Sequence, residues 1–108
     1  MQLPLQITFR DFPPSQAIAD KIRQQVEKLH RFSDRIIGCR VVVEAPHQHQ
    51  RQGKIYHVRI NLTLPRGELT IARASSQNQS HEDLYIVIRD AFAAAQRRLK
   101  RYADVRRT

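Results

Sequence analysis

The sequence holds a single cysteine and no tryptophan in 108 residues. Cys39 therefore has no partner for an internal disulfide, and any stable fold must rest on a core without covalent staples. Its three glycines, Gly38, Gly53 and Gly67, stand alone, so no Gly-rich loop cradles a phosphate at a strand-to-helix junction. No apolar run approaches the ~20 residues that a membrane-spanning helix needs. The opening MQLPLQITF has neither a charged n-region nor a long apolar stretch, so no signal peptide is expected and the expected location is the cytoplasm. Acidic residues are also scarce. Ten Asp and Glu face nineteen Lys and Arg, a net charge of +9.

What is present fits one globular domain over residues 1–108. Hydrophobic residues make up 41% of the chain and charged residues 27%, the balance of a folded domain rather than a disordered one. A chain of this length buries roughly 65% of its unfolded surface, enough for a core. The surplus positive charge raises the local potential enough to attract a polyanion, nucleic acid first among them.

Patterning predicts the order β-α-β-β-β-α. Leu3, Leu5, Ile7 and Phe9 alternate with polar residues, and Pro4 places that strand at a sheet edge. Ser15 can cap a helix whose apolar positions are Ile18, Ile22, Val26 and Leu29. Residues 36–44 form a β-branched strand with Ile37, Cys39, Val41 and Val43 on one face. A polar loop follows at 45–53, then a strand at 54–64 with Tyr56, Val58, Ile60, Leu62 and Leu64 inward. Pro65-Arg66-Gly67 makes a tight turn into a shorter strand at 68–74, with Leu69 and Ile71 inward. The fold class is α+β: a four-stranded sheet with both helices on its apolar face, leaving Thr8, Arg10, Arg40, Arg59 and Asn61 in water on the other.

The last third is one long helix over residues 80–107. Ser80 and Asp83 resemble a capping box, and Leu84, Ile88, Phe92 or Ala91, Ala95, Leu99 and Tyr102 recur at helical spacing. Glu82 and Asp83 suit its first turn, but the basic end carries more charge than dipole complementation needs. Arg97 and Arg101, a turn apart, point away from the apolar stripe, with Arg89, Arg98 and Lys100 on its flanks and Arg106 and Arg107 beyond. Arginine suits bidentate phosphate contact. Lys21 and Lys28 share one flank of the first helix, so with Arg31 the candidate RNA-binding set is Lys21, Lys28, Arg31, Arg89, Arg97, Arg98, Lys100 and Arg101.

Other chemistry lacks its constellation. Of the five histidines, His47 and His49 fall in a loop, His57 faces outward on a strand, and His30 and His81 sit at helix ends, so no metal site is expected. No nucleophile elbow, paired-carboxylate site or triad stands out, and Cys39 reads as a small buried hydrophobe. We expect a binder, not an enzyme, with no cofactor and no small-molecule substrate. Without paired exposed aromatics on the sheet, binding should address RNA backbone and shape.

With that element order, the chain resembles the ribosome hibernation-promoting factor and ribosome-associated inhibitor A family, also labelled sigma-factor modulation proteins. The resemblance covers nearly the whole chain. It is carried by KLHRFSDRI (28–36), the strand at 39–44, GKIYHVRINLTLPRGEL (53–69), and most specifically HEDLYIVIRDAF followed by RRLKRY. It implies a fold like the double-stranded RNA-binding domain. It also implies binding to the small ribosomal subunit and its ribosomal RNA, in the channel of messenger and transfer RNA, with translation inhibited and idle ribosomes stabilised under stress. Lys28, Arg97 and Arg101 match basic positions of that family, with Arg98 and Lys100 as additions. Ala94 and Glu44 depart from it, shifting the expected contacts toward the C-terminal end. The chain stops at Thr108 without the long form's extra domain, so it is expected to occupy a ribosome but not to pair ribosomes unaided; free, it is expected to be monomeric.

Two other readings stay open: a general double-stranded RNA-binding module, which the acidic Glu82 and Asp83 disfavour, and a protein-interaction module acting on a transcription factor. A small metal-dependent hydrolase is the enzymatic alternative.

Overall fold

A computed structural model describes residues 3–11, 13–45, 56–74 and 81–107, with side chains left undescribed at 81–83 and 103–107. Its elements run β1 (Leu5–Arg10), α1 (Gln16–Phe32), β2 (Gly38–Glu44), β3 (His57–Leu64), β4 (Gly67–Ala74) and α2 (His81–Arg107), the order the patterning predicts. The strands lie in sequence order in one mixed sheet. β1 pairs with β2 in parallel, a geometry that needs a crossover, and α1 supplies it. β2–β3 and β3–β4 are antiparallel. β1 takes the sheet edge, where Pro4 removes no ladder donor and its carbonyl accepts from the Cys39 amide at 3.0 Å.

Local chemistry sets the helix boundaries. Asp11 turns the chain out of β1 at φ 53°, a left-handed conformation that Asp tolerates better than most residues. Ser15 then caps α1, its Oγ accepting from the Ile18 amide at 3.3 Å. At the other end the Ser33 amide donates to the Leu29 carbonyl at 2.9 Å, and His30 and Arg31 lie in the last turn, where the dipole favours cations. The proposed cap of α2 at Ser80 lies outside the described residues, as do residues 46–53 of the predicted loop and the start of the predicted third strand at 54–55.

The core lies between the helices and one face of the sheet. Val41, Val43, Val58, Ile60, Leu62 and Ile71 from the strands meet Ile22 of α1 and Leu84, Ile88, Ala91 and Ala95 of α2, each at most 1% exposed. The predicted stripe of α1 and that of α2 from Leu84 to Leu99 are buried there, with Phe92 and Ala91 both in the core, while Tyr102 at the end of the stripe is half-buried against it. Leu5, Ile7 and Phe9 on the edge strand and Leu3 just before it are half-buried against the core, as is Leu69.

One inward assignment is corrected. Ile37 is 52% exposed, and its neighbour Ile36 is buried instead. Pairing in β2 starts at Gly38, so Ile37 precedes the strand and its side chain is not carried under the helices. Ile36, just after α1, closes the end of the core.

Candidate nucleic-acid interface

Alternation along the strands separates a covered face from an open one, and the helices make a second surface on top of the covered face. α2 packs over β3 and β4 and against α1, so the two helices lie side by side. At 1.5 Å per residue, the 27 residues of α2 extend about 40 Å, beyond the roughly 27 Å of an eight-residue strand. Its basic segment lies toward the end that outruns the sheet.

The flanks of α1 can be told apart. Arg23, Glu27 and His30 line a groove of about 800 Å³ against Leu3, Leu5 and Ile7, so that flank faces β1. Lys21 and Lys28 lie roughly 140° round the helix from it, on the side of α2. Lys21 is half-buried and Lys28 exposed. Arg31 is exposed on the outer surface near the helix end.

On α2 the cations form two strips. Arg89 and Lys100 fall within roughly 20° of one another, with the exposed Gln96 beside them. Arg97 and Arg101 form a second strip roughly 100° further round, and Arg98, roughly 80° beyond that, shares the phase of buried Val87 and Ala91 yet is exposed. All five basic residues are exposed. Ala94, by contrast, is 2% exposed and belongs to the core, so that position offers no contact. Gln96 is a neighbour without charge; its helical phase sets it on the same strip as Arg89 and Lys100, and along the axis it lies between those two basic residues.

These cations are poorly neutralised. Among the described residues, carboxylates within 4.0 Å of a basic group pair only Arg23 with Asp20, at 2.9 Å, and Arg89 with Asp90, at 4.0 Å. Seven of the eight candidate residues therefore have no such partner, and Arg89 has one at the limit of contact. Both pairs are solvent-exposed, where such contacts contribute little. The arginines of this surface are more weakly hydrated than an ammonium and offer paired donors to phosphate.

The structure supplies no competing reactive centre among the described residues. No group of three or more His, Cys, Asp and Glu side chains comes together, although His47 and His49 lie outside them. Cys39 is buried, and burial pushes its thiol up to about 12. At neutral pH it is protonated and packs as an apolar side chain. No described helix is long and apolar enough to cross a membrane.

Two solved structures share this architecture. A ribosomal subunit interface protein from Coxiella burnetii superposes with a TM-score of 0.71 at 16% identity, over 94% of this chain and 99% of the other. The N-terminal domain of Protein Y from Thermus thermophilus gives 0.71 at 20% identity over the same shares. No curated protein sequence matches the chain. The sequence itself matches a family model over residues 5–107, through both helices and all four strands. The chain belongs to the Sigma 54 modulation protein / S30EA ribosomal protein family.

Proposed function

We propose that this chain is a non-catalytic ribosome-associated factor that binds ribosomal RNA of the small subunit through its helical face. It occupies the channel of messenger and transfer RNA there, inhibits translation and preserves idle ribosomes under stress. One observation carries the reading: cations on two adjacent helices, almost none of them with a carboxylate within 4.0 Å among the described residues, in a chain of this family. Phosphate contacts supply the affinity, because arginine and lysine dominate the exposed helical surface. The protein works as a monomer in the cytoplasm and needs no cofactor.

The test is co-sedimentation with purified small subunits together with inhibition of cell-free translation. Wild-type protein pellets with subunits and inhibits. A folded Arg97→Glu, Arg101→Glu variant loses both. Unchanged inhibition by that variant overturns the assignment of the helical face. Equal affinity for free duplex RNA and for ribosomes would instead identify a general duplex-RNA binder.

A further inference from the structure

The opposite side of the molecule carries a second set of arginines that the helical interface does not use. Register across the sheet gives four rows on the open face: Gly38, Thr63, Glu68; then Gln6, Arg40, Asn61, Thr70; then Thr8, Val42, Arg59, Ala72; then Arg10, Glu44, His57, Ala74. Arg10, Arg40 and Arg59 come from three different strands and are all exposed. None has a carboxylate within 4.0 Å among the described residues. Arg40 and Arg59 stand one strand and one row apart, about 8 Å at the backbone.

The two acids on this face do not cancel them. Glu68, at the end of β4, accepts from the Asn61 side chain at 3.3 Å, and that amide also donates to Thr70 at 3.0 Å. Glu44 occupies only the last row, between Arg10 and His57. Between the arginines the floor is low. Val42, Ala72 and Ala74 line a shallow basin of about 270 Å³ rimmed by Arg10, Glu44, His57 and Arg59.

We propose that this open face, through Arg10, Arg40 and Arg59, contacts a second segment of ribosomal RNA by its phosphates, so that the chain is a wedge held by RNA on both sides. The inference rests on the ribosome-binding reading above and extends it to a surface the helices do not reach. Charge complementarity selects the occupant. Guanidinium groups with no carboxylate within 4.0 Å among the described residues, on a floor of Val42, Ala72 and Ala74, match a phosphate backbone, and among the described residues the face has no exposed Phe, Tyr or Trp and no large apolar anchor for a lipid surface. The two faces are also electrostatically separate. The thinnest dimension of the molecule is 19 Å, more than twice the ~8 Å screening length at physiological ionic strength. Their contributions to binding therefore add.

Two measurements on the full chain test this. In the first, small-subunit binding is followed across a salt series for wild type, for Arg97→Glu with Arg101→Glu, and for Arg10→Ala with Arg40→Ala and Arg59→Ala, each checked for an unchanged melting transition. Loss of about three phosphate contacts makes the sheet variant's plot of log affinity against log salt shallower by about two to three, with affinity weakened about tenfold or more at low salt. Wild-type slope and affinity in that variant, alongside a weakened helix variant, overturn the wedge and leave the helical reading standing. Failure of wild-type protein to bind subunits at all overturns both.

The second measurement identifies the occupant. A single cysteine is placed on the open face (Ala72→Cys) or on the helical face (Ala93→Cys), both exposed positions, and carries tethered iron–EDTA, while the buried Cys39 stays unlabelled. Cleavage of two different ribosomal RNA segments from the two positions is the expected result. Affinity loss in the sheet variant with no RNA cleavage from position 72 would assign the face to an acidic protein surface and overturn the proposal.

Discussion

The helical face and the open face of the sheet both carry arginine, but they present it differently. On the helices the cations crowd along two neighbouring rods, and the apolar stripe beneath them is the core itself. On the open face three arginines are spread over three strands, with Glu44 and Glu68 among them. A helix concentrates charge because residues three and four apart share a strip, whereas a strand alternates sides and halves the density of any run. The same chain therefore builds one dense basic surface and one sparse one, and the dense one should dominate affinity.

The comparison breaks first if the two sides of one strand prove energetically alike. Ile60 is fully buried and its neighbour Arg59 points outward. Ile60→Ala should cost about 2–5 kcal/mol in denaturant unfolding, whereas Arg59→Ala should stay within about 0.5 kcal/mol. Equal costs would mean that Arg59 is structural. Next in size, reversing Arg97 and Arg101 should weaken small-subunit binding by roughly a hundredfold while the melting temperature holds, since two favourable phosphate contacts become repulsive.

Cys39 sharpens the contrast between the dry and wet sides of β2. Its thiol is raised from 9.0 to about 12 by burial, so the native state keeps the proton when the unfolded chain has lost it. Stability from this group is full below pH 9 and falls as pH rises from 9 toward 12, by about 1.4 kcal/mol per unit. Cys39→Ala should remove that component of the slope in unfolding measurements at pH 8 to 11. Equal slopes in the two proteins would mean that the thiol is solvated. The smallest effect concerns the frame of the helical face. Ser15→Ala removes the Oγ acceptor of the Ile18 amide and should cost about 1 kcal/mol of stability, read by thermal unfolding.

The fold was legible because its signals are local and periodic. The alternation of Val58, Ile60, Leu62 and Leu64 and the stripe from Leu84 to Leu99 each name a buried face without knowledge of the rest. Ile37 shows where that logic stops. Its alternation is right for a strand, but burial depends on where the helices end above it, which is a tertiary fact. The candidate site was legible as charge and helical phase, which is enough to expose Arg97 and Arg101. Which flank of α1 meets α2 follows only from the groove between Arg23, Glu27, His30 and β1. The rows of the open face needed the strand register, since Arg10, Arg40 and Arg59 are far apart in sequence.

The basic helical face, almost all of whose cations have no carboxylate within 4.0 Å among the described residues, should bind small-subunit RNA through its phosphates. The most direct test is the affinity of wild-type protein for purified small subunits between 50 and 200 mM salt, beside the Arg97→Glu, Arg101→Glu variant. With about six or more phosphate contacts, wild-type affinity should fall roughly a thousandfold or more across that range, linearly on logarithmic axes, and the variant should start weaker and fall less steeply. Tight binding that ignores salt, or a variant indistinguishable from wild type, would contradict the account.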